Sequence, residues 1–408
     1  MADLAEDLGD ESLRDRAAAA LGILCCRLSR LAEAETCYRQ ALERAQARGD
    51  KRREAVHSTG LGNVFFAQAR LSEALEWHER AIAAICETGD LEDEGKYLTN
   101  LAGALIMSGR LAEAREHLER AFAISRQVRH PAYAATVRLS LASLEDTEGR
   151  PYEAQQHRER ALELSREIGD RRQEAIALVN IGPGWRMLGD PERARQALDA
   201  SVALCREIGA YYPEGFGLLG LSQVAADEGD LAEARRLAEE SLALRRRIRH
   251  RDGVVRTLLH LGEVLALAGE AAEACAALEE GVALARELGA DAMAARGLAE
   301  LAALPGGDAA PALAALAELD GRHDTPELRW TLHRATGDRE HLDEAKRLLD
   351  EQLTRIPAEL HEPIRRNVRV AREILAAWHG EQATVAGIDQ SAGEPGSTES
   401  ETRIAPHE

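Results

Sequence analysis

The chain has 408 residues, 45% of them hydrophobic and only 3% aromatic, and its 71 acidic against 51 basic residues leave a formal net charge of −20. Length and apolar content suffice for a large core, which excludes a disordered chain. So acidic a surface repels a phosphate backbone unless a local basic patch overrides it. The apolar residues are mostly Ala and Leu, without runs of alternating Val, Ile and Thr, and this favours helices over sheets.

Residues 1–12 form an acidic lead that lacks the basic-then-apolar order of a signal peptide, and no apolar run approaches a membrane span. These features predict a cytoplasmic protein with no membrane partner. Lys occurs only at Lys51, Lys96 and Lys346, an Arg bias that points to a GC-rich bacterial source. The six Cys (Cys25, Cys26, Cys37, Cys86, Cys205, Cys275) form no CxxC pair and share no spacing, so they read as small helix residues in a reducing compartment.

Over residues 13–290 the chain repeats itself. RLAEA (30–34), RLSEA (70–74), RLAEA (110–114), RPYEA (150–154), DPERA (190–194), DLAEA (230–234) and EAAEA (270–274) end on an Ala every 40 residues, seven times without insertion or deletion. A second small column precedes that Ala by 12 positions, at Gly22, Gly62, Ala102, Ala142, Gly182, Ser222 and Gly262. A third follows it by seven, at Ala41, Ala81, Ala121, Ala161, Ser201, Ser241 and Gly281. Turn signals such as Gly49-Asp50, Gly89-Asp90 and Gly169-Asp170 divide the blocks. Each block therefore encodes two amphipathic helices; in the second block helix A covers about 52–69 and helix B about 72–88. The short break between them makes an antiparallel hairpin, and since one hairpin cannot bury both faces, neighbours must stack.

In the fifth block Pro183-Gly184 follows the ordinary Ile181-Gly182 columns. An interior Pro costs a helix roughly 3 kcal/mol and a Gly about 1, so a kinked or broken helix is expected here. The run RRRIRHR at 245–251 is the one concentrated basic stretch, and its place at a helix end reads as a solvated terminus rather than a nucleic-acid patch. After Gly289 the phase is lost. LPGGDAAP (304–311) breaks the pattern, TPELRW (325–330) starts another helix, and 337–353 repeats the Asp-Glu-Ala signature as a degenerate hairpin. Residues 291–380 are expected to supply a cap with a polar outer face, and 381–408, rich in Gly, Ser, Thr and Glu, a disordered acidic tail.

No phosphate loop, HExxH or GxSxG occurs. His117 and His157 share a phase, but two His make a poor metal site. The expectation is no catalysis, no cofactor and no metal.

The Leu-Gly pair, the small residue 12 positions on and the next one seven beyond resemble the tetratricopeptide repeat (TPR), in the 40-residue form of Pins/LGN-type scaffolds and bacterial signalling proteins. The resemblance implies an all-α, right-handed superhelical solenoid of antiparallel helix pairs whose A helices line a concave face. Carried over, the inner positions include Thr59, Asn63 and Phe66 in block two and Lys96, Thr99, Asn100 and Met107 in block three. Blocks four and five add Leu139, Ser143, Asn180 and Arg186; blocks six and seven add Gln223, Arg256, His260 and Glu263. Such a face suits a peptide or helix of a protein partner, so the expected function is non-catalytic protein–protein interaction. The segment 353–375 is similar to the one closing TPR arrays attached to bacterial Ser/Thr kinases, nucleotide cyclases and STAND-type ATPases, which implies a regulatory sensor module as the alternative. A peptide-pheromone receptor is a further alternative, though the N-terminal lead is too short for the DNA-binding domain it would carry.

Overall fold

The computed structural model describes residues 30–391 apart from Ala69 and 320–323, together with Ala17, residues 19–22 and Cys25. The acidic lead 1–12 and residues 392–408 of the expected tail lie outside the described residues. Helix B of the first repeat is α1 (Leu31–Ala47). The A and B helices that follow are α2 (Lys51–Ala67) and α3 (Leu71–Cys86), α4 (Leu91–Met107) and α5 (Leu111–Gln127), α6 (Pro131–Thr147) and α7 (Pro151–Glu167). Repeats five to seven are α8 (Arg171–Met187) and α9 (Pro191–Ile208), α10 (Tyr211–Glu228) and α11 (Leu231–Arg247), α12 (Arg251–Leu267) and α13 (Ala271–Glu287). Three shorter helices come next, α14 (Asp291–Ala302), α15 (Ala310–Glu318) and α16 (Pro326–Thr336), and α17 (Arg339–Thr354) pairs with the last of them. A 3₁₀ turn (Ala358–Leu360), α18 (His361–Asn367) and α19 (Arg369–Ser391) complete an all-helical stack with no strand among the described residues.

The turns are built from one device used every 20 residues. Gly49, Gly89, Gly109, Gly149, Gly169, Gly189, Gly209, Gly229, Gly269 and Gly289 all take positive φ, and at the same phase Arg129 (φ 51°) and Arg249 (φ 57°) are forced into it. The residue that follows then donates its N–H back into the last turn, as Asp50 does to Ala45 O at 3.0 Å and Arg110 to Leu105 O at 2.9 Å, except at Asp90, whose N–H goes to Thr88 Oγ1 at 3.2 Å. This closes the orphan carbonyls of one helix. Where that residue is Asp, its side chain caps the next helix: Asp50, Asp90, Asp170, Asp190 and Asp230 all accept from an N–H in the first turn.

The small columns mark where helices touch. All seven Ala of the first column, Ala34 to Ala274, are fully buried, as are Ala41, Ala81, Ala121, Ala161, Ser201 and Ser241 of the third. The second column makes room for the residue 16 positions later. A Cβ at Gly62 would stand 2.7 Å from the His78 ring, one at Gly182 2.6 Å from Leu198 Cδ2, and one at Gly262 2.7 Å from Leu278 Cδ2.

Four expectations are corrected. Of the kink or break expected at Pro183, the break does not occur: helix α8 runs continuously from Arg171 to Met187 with α7, α9 and α10 packed against it, and Gly184 lies where any Cβ would strike Gln155 and Arg158. The register persists past Gly289, since α14 starts in phase at Asp291 and the period fails only at Leu304-Pro305-Gly306-Gly307. The tail boundary also moves, with α19 continuing to Ser391. Finally, residues 355–372 do more than cap the end. They turn back across the array: Arg355 Nη1 donates to Glu148 O at 2.9 Å, Asn367 Nδ2 to Gly189 O at 2.7 Å, and Arg369 pairs with Glu263.

Candidate functional site

Successive A helices pack on one another along one side of the array, α8 on α10, α10 on α12 and α12 on α14. Residues three and four apart on each helix face that side, and together they enclose a groove of about 480 Å³. Helix α8 contributes Arg172, Ile176, Val179, Asn180 and Pro183; α10 contributes Tyr212, Pro213, Phe216, Leu219, Gly220 and Gln223. Arg256 and Leu259 of α12 and Met293 and Arg296 of α14 complete it. The floor is apolar and the walls carry three guanidinium groups. Arg256 is shared with Asp252 (2.9 Å) and Arg296 with Glu263 (3.2 Å).

Tyr212 stands 57% exposed at the groove, with its ring 5.3 Å from Phe216 and 4.6 Å from His250. Behind Phe216 lies Arg245, fully buried, its guanidinium 4.2 Å from the ring centroid and donating to Gly215 O at 3.0 Å through Nη2. This corrects the solvated-terminus reading of 245–251 for its first residue. Gly215 and Gly253 leave the space that lets Arg245 fold inward, whereas Arg246 stays outside, paired with Glu280 at 2.6 Å. Burial, and the nearby charge of Arg256, lower the Arg245 pKa to about 10. Burial and the Arg245 charge push His250 down to about 4.

A second cavity of about 470 Å³ lies between the A helices and α16–α19, and it shares Gln223, Met293 and Arg296 with the groove. Its walls hold a network of charges. Arg186 bridges to Asp227 at 2.7 Å, and Glu263 meets Arg296, Arg369 and His260. Burial penalises the Glu263 carboxylate, but His260, Arg369 and Arg296 outweigh it and hold its pKa well below the usual carboxylate range. Burial and the charge of Glu263 push Glu300 the other way, while Thr331 Oγ1 donates to it at 3.0 Å.

Two family models of the tetratricopeptide repeat match, one over residues 15–87, 133–207 and 214–287 and the other over 96–129. The chain belongs to the tetratricopeptide repeat family. No curated protein sequence matches it. Among solved structures, a Rap protein complexed with Competence and Sporulation Factor is 14% identical with a TM-score of 0.58, over 92% of this chain and 99% of that one. NprR in complex with its cognate peptide NprX is 16% identical with a TM-score of 0.55, over 77% and 89% of the two chains. A STAND ATPase with a TPR sensor from Pyrococcus horikoshii is 16% identical with a TM-score of 0.51 over 76% of this chain, which spans only 47% of that one. At such identities the likeness concerns the TPR fold alone.

Of the inner-face residues named from the TPR resemblance, the groove brings together Asn180, Gln223 and Arg256; the second cavity takes Arg186, Gln223, His260 and Glu263. Several face inward or are engaged within the chain. Thr59 and Thr99 are buried, and Thr99 Oγ1 bonds Gly95 O and lies 3.3 Å from the Tyr133 hydroxyl, so it joins two A helices. His260 is buried and shares a 2.9 Å hydrogen bond with Ser222. Lys96 is held by Glu92 and Asp93 of its own helix. Asn63, Phe66, Asn100, Met107 and Ser143 are exposed and Leu139 half-buried, but neither cavity includes them. Sequence reasoning missed Arg172, Tyr212, Met293 and Arg296. Arg296 stands 40 residues after Arg256, so extending the register beyond Gly289 would have found it.

Among the described residues no group of three or more His, Cys, Asp or Glu could hold a metal ion, and no helix is long and apolar enough to cross a membrane.

Proposed function

We propose that this TPR chain is a non-catalytic interaction module whose groove between α8, α10, α12 and α14 takes a peptide segment bearing apolar side chains and at least one carboxylate. The observation that carries the reading is the groove itself: an apolar floor of Ile176, Val179, Phe216, Leu219, Leu259 and Met293 walled by Arg172, Arg256 and Arg296, on a chain of net charge −20. Three guanidinium groups meet at one concavity of an acidic protein, and although Asp252 and Glu263 share two of them, the wall favours an anionic ligand over a basic one. The Gln223 amide, and the Oδ1 of Asn180 whose Nδ2 donates to Ile176 O at 2.7 Å, offer partners for a peptide backbone. Two solved proteins of the same fold hold ligands, Competence and Sporulation Factor in one and the cognate peptide NprX in the other, and the second supports this class of ligand.

The test is a fluorescence-anisotropy screen of labelled peptides that combine Leu or Phe with Asp or Glu, set against the same peptides with Lys in place of the acids. The acidic set binds and the Lys set does not. Leu219→Trp, which fills the floor, and Arg256→Glu, which reverses a wall charge, each weaken binding at least about tenfold, a change of about 1.4 kcal/mol. Binding that ignores both the peptide charge and these substitutions would refute the groove as the site.

A further inference from the structure

Helices α16–α19 carry an apolar core of their own. Leu342, Leu349, Leu353, Ile364 and Ile374 form it with Trp330 packed against them, and no residue of repeats four to seven belongs to it. A separate cluster, Ala299, Ala302, Leu328 and Leu332, holds α16 to α14. The bonds that cross from this terminal unit to the array are of another kind. Arg355, Asn367 and Arg372 donate to the carbonyls of Glu148, Gly189 and Asp227 at 2.9, 2.7 and 3.4 Å, and Arg369 pairs with Glu263.

The landing points share one structural position. Glu148 follows α6, Gly189 follows α8, and Asp227 and Glu263 lie in the last turns of α10 and α12. These are the carbonyl ends of A helices, which attract cations and N–H donors. The two turn glycines beneath the segment are fitted to it: a Cβ at Gly189 would stand 2.5 Å from Pro363 O, and one at Gly149 2.6 Å from Arg355 Nη1. At Gly109, Gly229 and Gly269, the same phase elsewhere, nothing lies within 4 Å. The Arg369 and Glu263 side chains are only 10% and 14% exposed.

We propose that α16–α19 form a clasp that docks on and undocks from repeats four to seven as a body. The α14–α16 contact is its pivot and the Arg369–Glu263 pair its lock. Undocking opens the second cavity and joins it to the groove across Gln223, Met293 and Arg296, so the clasp sets how much of the concave face a ligand reaches. Among the described residues the interface consists of hydrogen bonds and one ion pair with no shared apolar cluster, which permits relative motion in the way polar interdomain contacts do. The lock is a buried pair, and removing one charge strands the other. The inference stands on these contacts and does not require the groove to bind a peptide.

Amide hydrogen exchange on the full chain, read by mass spectrometry, tests it. Glu263→Gln raises exchange by at least about tenfold in two sets of peptides, those covering 361–375 and those covering the turns at 148–150 and 188–190, while α17 and α13 stay protected. The radius of gyration from X-ray scattering rises with it. Unchanged exchange at 361–375, or α17 exchanging as fast as 361–375, overturns the proposal, the second because the unit would then melt rather than undock. Should Glu263→Gln unfold the array, Asn367→Ala with Arg372→Ala gives the independent test. The same two sets of peptides must respond, and a rise confined to 361–375 overturns the clasp.

Discussion

Gly189 and Gly229 make a matched pair for testing whether the C-terminal segment is seated on the array. Both follow an A helix, with φ of +78° and +86°. An Ala forced into that region costs about 1–2 kcal/mol, less about 0.5–1 kcal/mol regained from the stiffer unfolded chain. Gly229→Ala, with nothing within 4 Å of its new Cβ, therefore lowers stability by about 1 kcal/mol. Gly189→Ala meets backbone as well, with Pro363 O at 2.5 Å and Ile364 N at 2.6 Å, atoms that no rotamer change can move. Overpacking of that kind adds about 1–3 kcal/mol, capped by the cost of lifting the segment off the turn. Urea unfolding followed by far-UV circular dichroism should place Gly189→Ala below Gly229→Ala by that margin, with faster amide exchange at 361–375 in the first variant alone. Repeat arrays depart from two-state behaviour, so midpoints and local exchange are the quantities to compare. Variants that agree within about 0.5 kcal/mol would refute the seating of Pro363 on this turn.

His78 is buried against Gly62, and burial lowers its pKa to about 4. The unfolded chain takes up that proton near pH 6.5 and the folded chain only near 4, so stability is full above 6.5 and falls across this window by up to about 3 kcal/mol. Leu118, Leu198 and Leu278 fill the same column, and His78→Leu should remove this part of the acid sensitivity, leaving the shares of His250, His157 and His341, in thermal melts at pH 7 and pH 4.5. Pro183→Ala restores a helical hydrogen bond within α8 and raises the urea midpoint by an amount equivalent to about 1–3 kcal/mol; a lower midpoint would mean that its ring in the groove wall outweighs the lost bond. Arg129→Gly and Arg249→Gly relieve positive φ at two turns and should each stabilise by about 0.5 kcal/mol in the same assay.

Periodicity carries its own evidence, which is why the array was legible at the level of single residues. Each small column reports a helix–helix contact that recurs at every repeat, and each Gly-Asp pair reports a left-handed turn followed by a cap. Local chemistry and nearest-neighbour stacking suffice to write that pattern, so it survives in the linear order. Residues whose role comes from one encounter leave no such trace. Arg245 sits in a basic run that reads as solvated, and only Phe216 in front of it and the missing side chains of Gly215 and Gly253 draw it inside. His260 looks like an inner-face donor until Ser222, 38 residues away, claims its ring nitrogen.

The sequence by itself determined the helix pairs, their 20-residue spacing and the small-residue contacts between neighbours, because these depend on residues close in the chain and are repeated. Only the tertiary structure decided where the concave face deepens into a groove, which polar groups remain free to line it, and that Arg369 reaches Glu263 across 106 residues. Those outcomes depend on contacts between residues far apart in the chain, which no single repeat encodes.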